Sequence, residues 1–181
     1  VTGSTGKEGN TMPKMEVYFD YACPFCRRAH TALGELRGQF PQIEIVWRPC
    51  EAHPRPDSYG PHTDLCIRGM FFAKAHGVDP DVYSDRLFEA VFRDRVDIED
   101  PHALAGAVGD LLDAEALEKA LLDGEYAEDL DKNNRDSDET GVWAVPAYRM
   151  EGRRLDAVEG VGVSKEALRT FMEEAGGSSS R

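Results

Sequence analysis

Apolar and polar residues alternate along the chain with two distinct periods. Met15, Val17 and Phe19 alternate with Glu16, Tyr18 and Asp20, the pattern of a strand with one buried face. Immediately afterwards Phe25, Ala29, Leu33, Leu36 and Phe40 recur at spacings of three and four, which predicts an amphipathic helix. Pro24 opens that helix, where its missing N–H would have had no partner. Pro41 breaks the run, and Ile43-Glu44-Ile45-Val46-Trp47-Arg48 predicts a second strand with Ile43, Ile45 and Trp47 on one face. A right-handed crossover through the helix makes the two strands parallel neighbours.

From Glu51 to Pro61 the chain is a proline-rich loop, and from there to Thr140 the pattern is helical throughout. One helix covers about 63–76 and stops at Gly77. A second starts at Asp79-Pro80, a cap followed by a first-turn proline, and buries Tyr83, Leu87, Ala90 and Val91. A third starts at Asp100-Pro101 and uses Leu104, Ala107, Val108 and Leu111. A fourth begins near Asp113 with Leu117, Ala120 and Leu121, and a fifth runs from about Glu125 to Glu139. Strand signals return at 147–150, and Glu151-Gly152 turns the chain into a strand over 153–158, giving a hairpin. A last helix follows Ser164, with Leu168, Phe171 and Met172 inward. The order is β-α-β, a helical insertion, then β-β-α: an α/β chain. Residues 12–49 and 141–176 form one discontinuous domain in this reading, and 50–140 an inserted helical domain. The insertion is expected to lie over the start of the first helix, with a cluster of Phe71, Phe72, Leu87, Val91 and Leu104. The ends, 1–11 and 177–181, read as disordered tails, with Met12 the expected native start.

Composition narrows the classes of partner. The 181 residues carry 21 Lys and Arg against 34 Asp and Glu, a net charge of −13. Nucleic acid and anionic membranes repel such a chain, and no apolar run approaches the length of a membrane span. The Asp-rich second half lacks a calcium loop and reads as solvated helix surface. No basic-then-apolar leader precedes the first strand, so the expected location is cytoplasmic.

The chemistry sits at the junction of the first strand and helix. Cys23 falls at the helix start and Cys26 one turn in. Free N–H groups and the positive end of the helix dipole favour a thiolate there. A Cys-x-x-Cys pair between strand and helix suits reversible disulfide exchange: one thiolate attacks a partner's disulfide and the second cysteine resolves the mixed disulfide. A zinc half-site completed by Cys50 and His53 fits the spacing alone. Cys50 and Cys66 otherwise read as buried free thiols. Among the five histidines, His30 is placed one turn beyond Cys26, near the pair. His53 and His62 sit in the proline-rich loop, a candidate border for a substrate groove.

The segment Asp20-Tyr21-Ala22-Cys23-Pro24-Phe25-Cys26 resembles the active-site segment of DsbA-type thioredoxin-fold oxidoreductases, most closely the FrnE-type branch. A second segment, Gly141-Val142-Trp143-Ala144-Val145-Pro146-Ala147-Tyr148, is similar to the family's Gly-Val-x-Gly-Val-Pro-x-Phe, with Ala144 for Gly and Tyr148 for Phe. The resemblance implies a thioredoxin fold with an inserted all-α lobe. It implies a thiol–disulfide oxidoreductase or isomerase with Cys23 and Cys26 catalytic. It also implies a substrate-binding surface of Pro24, Phe25, Val145 and a cis Pro146 facing the pair. Protein or peptide thiols and disulfides would be its substrates, glutathione or another redox partner its counterpart, and no cofactor or metal is called for. In some similar families a second disulfide occurs, here between Cys50 and Cys66. Kappa-class glutathione transferases and isomerases share the fold, but generally carry Ser for the first cysteine and lack the second. Phe25 stands where some relatives carry a histidine, so the thiolate loses a donor. The dipole alone contributes about 0.3–1 kcal/mol, so Cys23 is expected to be depressed less than in the histidine-bearing enzymes.

Overall fold

The computed structural model describes residues 12–175; the expected tails at 1–11 and 177–181 lie outside the described residues. Strand β1 (Lys14–Phe19) leads into helix α1 (Pro24–Leu36), and β2 (Glu44–Pro49) follows. Helices α2 (Asp64–Ala75), α3 (Pro80–Phe92), α4 (Pro101–Ala107), α5 (Ala114–Leu122) and α6 (Ala127–Glu139) come next. Strands β3 (Ala147–Met150) and β4 (Arg153–Asp156) and helix α7 (Lys165–Glu173) complete the order. The four strands form one sheet in the order β2-β1-β3-β4. β1 runs parallel to β2 and antiparallel to β3, with Val17 opposite Trp47 on one side and Tyr148 on the other. This is the thioredoxin arrangement with helices inserted between β2 and β3.

Local chemistry accounts for most element ends. The Asp79, Asp100, Asp113 and Ser164 side chains each accept a backbone N–H from the first turn of the helix they open. Such caps are worth roughly 1 kcal/mol each. The β3–β4 turn places Glu151 at φ 52° and Gly152 at φ 75°, the left-handed pair whose twist matches a two-residue hairpin.

Several expectations are corrected. Tyr18 and Asp20, read as the polar face of β1, are buried: β1 is a central strand covered on both faces. Met15 and Val17 pack with Ala29, Leu33 and Leu36 of α1 and with α7, while Tyr18 packs with Cys50 and Ala147 on the opposite face. Phe40 lies beyond α1, after a 3-10 turn at Arg37–Gln39, and is buried from there. Phe25 is only half-buried. Ile43 precedes β2, and Ile45 and Trp47 are half-exposed because β2 is an edge strand. Helix α4 stops at Ala107, and β4 at Asp156. Helix α6 starts at Ala127, because Tyr126 before it is left-handed at φ 65°.

The apolar cluster of the inserted helices contains Phe72, Leu87 and Leu104, with Phe71 and Val91 half-buried at its edge. It does not end at the insertion: Phe19, Tyr21 and Cys26 belong to it, and Cys23 packs against it. Among the described residues its one buried guanidinium is Arg68, whose donors are satisfied by backbone carbonyls while Asp64 and Glu125 add favourable charge. Its Nε donates to the Glu125 carbonyl and one terminal nitrogen to the Leu121 carbonyl, both at 2.7 Å. Those acceptors lie at and just beyond the end of α5, where carbonyls lack partners within the helix.

Tyr83 ties α3 to α2 by donating its hydroxyl to the Cys66 carbonyl at 2.8 Å. A methyl group on Gly69 would collide with that hydroxyl oxygen. Gly69→Ala is therefore expected to destabilise the protein by about 1–3 kcal/mol through overpacking. Adding Tyr83→Phe should recover part of the loss, so the two substitutions couple in a double-mutant cycle measured by urea unfolding.

Candidate active site

Cys23 is the residue immediately before α1, with extended backbone at φ −91° and ψ 118°. The strand delivers it there, and Pro24 starts the helix without wasting a donor. The backbone N–H groups of Phe25 and Cys26 both favour the Cys23 thiolate, and the Cys26 N–H also donates to the Cys23 carbonyl at 3.1 Å. The Cys26 thiol donates to the Cys23 sulfur, and this is the largest influence on it. Together these outweigh partial burial and the nearby negative charge of Asp20, and hold Cys23 at about 7, below the ordinary 9.0. Cys26 is the opposite case. It is buried, and burial, its bond to Cys23 and the Cys23 and Asp20 charges push it well above the ordinary range. One sulfur is half-exposed and acidic; the other is enclosed and holds its proton.

Val145 and Pro146 lie across from the pair. The Val145–Pro146 bond is cis, as are Arg55–Pro56 and Gly60–Pro61. The Cys23 thiol points at the Val145 carbonyl oxygen, 3.8 Å away. Pro24 is exposed beside the sulfur. Phe25 lies under Gly162, whose Cβ position would be 3.0 Å from the Phe25 ring, and the Arg28 guanidinium covers that ring at 4.8 Å. Cys23 opens into a cavity of about 240 Å³ lined by Ala22, Ala52, His53, Tyr59, Pro61 and Val145, among others. A second cavity of about 310 Å³, sharing Ala52, His53 and Val145, extends past Glu51 and Asp138 to Trp143.

His30 does not face the pair. Its ring lies against Trp47 and Phe88 and meets Asp85 at 2.7 Å, and burial lowers its pKa. Spacing puts His30 on the same helical stripe as Cys26, two turns beyond Cys23, but the α3 and β2 side chains packed there take up its ring. His53 instead lines both cavities. Cys50 and Cys66 are free thiols in separate apolar clusters, not a disulfide. Burial pushes Cys50 up to about 12 and Cys66 well above the ordinary range, so neither is a nucleophile near neutrality. No group of three or more His, Cys, Asp and Glu side chains converges on a metal position among the described residues. Among the described residues no helix is long and apolar enough to cross a membrane.

The residue that the sequence pattern missed is Asp20. The residue is 5 % exposed, and its carboxylate accepts N–H bonds from Ala22 at 3.0 Å and Ala52 at 2.8 Å. Burial raises its pKa all the same. Its charge opposes ionisation of both Cys23 and Cys26. The signal available in sequence was its place in the motif, three residues before Cys23.

The Cys23 thiolate, followed by ultraviolet absorbance, should titrate with a midpoint near 7. Cys26→Ala removes the donating thiol and should move that midpoint up. Asp20→Asn removes an opposing negative charge and should move it down. Midpoints that stay put in both variants would sink this account of the site.

Residues 14–172 match the family described as the DSBA-like thioredoxin domain. An uncharacterized protein of Bacillus subtilis, YwbO, is 24% identical over 193 residues, spanning 85% of this chain and 94% of its own. The fold is similar to that of a probable DsbA oxidoreductase from Streptomyces coelicolor, with a TM-score of 0.78 at 18% identity, covering 93% of this chain and 92% of that one. It is also similar to oxidised BdbD from Bacillus subtilis, with a TM-score of 0.71 at 14% identity, covering 92% and 89%. With the family match spanning nearly the whole described chain, and a half-exposed and a buried cysteine at the head of α1, this protein belongs to the DSBA-like thioredoxin domain family.

Proposed function

We propose that the protein is a thiol–disulfide oxidoreductase acting on protein or peptide substrates, nearest in its motif to the FrnE-type branch. The observation that carries this reading is the division of labour between the two sulfurs. Cys23, held at about 7, is substantially thiolate at neutral pH, and Cys26 keeps its proton until Cys23 is engaged. Cys23 attacks a substrate disulfide, forming one S–S bond as the substrate's own breaks and its sulfur leaves as thiolate. Cys26 then attacks Cys23, releasing the second substrate sulfur and leaving a Cys23–Cys26 disulfide. The reverse sequence oxidises a dithiol. The electrons reside in the cysteine pair, so the exchange calls for no further cofactor.

The surroundings favour a polypeptide substrate. Tyr59 and Trp143 are 70 % and 89 % exposed at the two cavities, and Val158 and Val161 are exposed in the loop that covers Phe25. Apolar surface gathered around one reactive sulfur suits docking of a chain. The Val145 backbone, whose carbonyl lies 3.8 Å from the Cys23 sulfur, would pair with an extended segment lying over Cys23. The kappa-class alternative finds no support in a site that carries both sulfurs.

Cys23→Ser is expected to abolish reduction of insulin by dithiothreitol-coupled assay, while Cys26→Ser should accumulate mixed disulfides detectable on non-reducing gels. Full activity in Cys23→Ser would remove the assignment. The redox poise gives a second test. Reactive thiols lie near ~7 in thioredoxin and ~3.5 in DsbA, and a lower value stabilises the reduced form and makes a stronger oxidant. The Cys23 position near 7 sets this pair on the less oxidising side, as suits a reducing, cytoplasmic setting. In a glutathione redox series, Phe25→His should become more oxidising than wild type. A histidine variant that becomes more reducing would contradict the electrostatic argument.

A further inference from the structure

The two cavities beside Cys23 are acidic. The second, of about 310 Å³, is walled by the carboxylates of Glu51 and Asp138, and neither cavity has a lysine or arginine in its lining. His53, the one basic side chain in either lining, is held by Asp57 at 3.1 Å. The α1 side of Cys23 is the reverse. Arg27, Arg28 and Lys165 line an open recess there, and the two guanidinium groups lie over Phe92 and Phe25. A polypeptide laid across Cys23 passes from a basic border to an acidic one.

Glu51 is the part of the acidic wall that the fold leaves incompletely used. It is half-buried, and its carboxylate accepts a hydrogen bond from the neutral Asn134 amide at 3.1 Å. Burial, and after it the charges of Asp64 and Asp20, raise its pKa against the opposing Asn134 bond and His62. A carboxylate drawn partly out of water is destabilising unless a cation joins it. Trp143, in the same wall, is almost wholly exposed. Arg154, which reaches the Gly141 backbone near the indole, is already committed to Asp156 at 2.6 Å. An open indole beside carboxylates suits a long cationic side chain: the ring takes the aliphatic stem or the face of a guanidinium, and the acids take the charge.

We propose that this second cavity is a subsite for a lysine or arginine side chain of the peptide substrate, its cationic head meeting Glu51 and Asp138 and its stem lying along Trp143. The inference rests on the exchange reaction proposed above and names the substrates that reaction favours. The two cavities share Ala52, His53 and Val145, so the cation belongs to a residue a short way along the chain from the reacting cysteine. The basic α1 border repels a cation on the other side, so the preference holds in one chain direction only.

The test uses symmetric peptide disulfides that carry arginine, citrulline or glutamate at successive positions on either side of the cysteine. Their reduction by the reduced protein is followed by stopped flow at low ionic strength. The same peptides reduced by dithiothreitol give the intrinsic effect of each charge on the peptide's own sulfur, which is divided out. In wild type the arginine-to-citrulline rate ratio should reach about fivefold or more on one side of the cysteine, as a partly buried ion pair with a cation–π contact supplies. The glutamate peptide should be slower than the citrulline one. In Glu51→Gln/Asp138→Asn the ratio should fall to near one; glutamine keeps an acceptor for Asn134. Glu166→Gln/Glu173→Gln removes the same charge from α7, which packs with α1 on the sheet face opposite Cys50, and should keep the wild-type ratio. A wild-type ratio of one, a ratio that survives the first double substitution, or one that falls equally in the second would overturn the subsite. A wild-type protein that reduces none of the peptides would overturn the exchange reaction itself, and this inference with it.

Discussion

The hydrogen bond from the Cys26 thiol to the Cys23 sulfur is the interaction on which the rest of the site depends. It requires two cysteines one helical turn apart, with the first outside the helix and the second inside it. The strand β1 supplies the first condition by ending at Phe19, and Pro24 supplies the second by starting α1 where it does. The bond also creates the asymmetry between the sulfurs, because the donor raises its own pKa as it lowers its partner's. Burial then widens the gap, since it acts on Cys26 far more than on Cys23.

The inserted helices contribute to the site through packing as much as through enclosure. One apolar cluster runs from α2–α5 into Tyr21 and Cys26 without a break. Aromatic edge contacts, Phe19 on Tyr21 at 5.0 Å and Tyr21 on Tyr83 at 6.2 Å, carry that continuity across the junction. The surface that a substrate would meet is drawn from both parts of the chain: Tyr59 and Pro61 precede α2, and Trp143 and Val145 follow α6. The acidic surface of α6 is tied back to the sheet by Arg48 to Asp136 and by Asn133 to the Pro49 carbonyl at 3.1 Å.

Much of this was readable from local pattern. The caps at Asp79, Asp100, Asp113 and Ser164, the Glu151-Gly152 turn and the Cys-x-x-Cys junction are encoded within four or five residues, and each folds as its chemistry dictates. What the pattern could not carry was decided by contacts distant in sequence. Tyr18 and Asp20 look solvent-facing by alternation, but Ala52 and Ala147 cover them from over thirty and over a hundred residues away. His30 lies on the helical stripe its spacing gives, but spacing does not say what packs there; Trp47 and Phe88 take its ring. The left-handed Tyr126 shortened α6, and nothing in a tyrosine announces that conformation. Asp20 was visible as a motif letter, but its burial beside two thiols appears only in three dimensions.

The contact between Phe25 and Gly162 changes how the Cys-Pro-Phe-Cys segment should be regarded. The two residues between such cysteines are commonly treated as a cassette to be exchanged for tuning. Here the second of them is built into a loop more than a hundred residues downstream, under a glycine at φ +83° whose missing side chain makes room for the ring. The usable alphabet at position 25 is therefore written jointly with position 162. A dipeptide transplanted from a relative would arrive without its counterpart, and drift at either position is confined by the other.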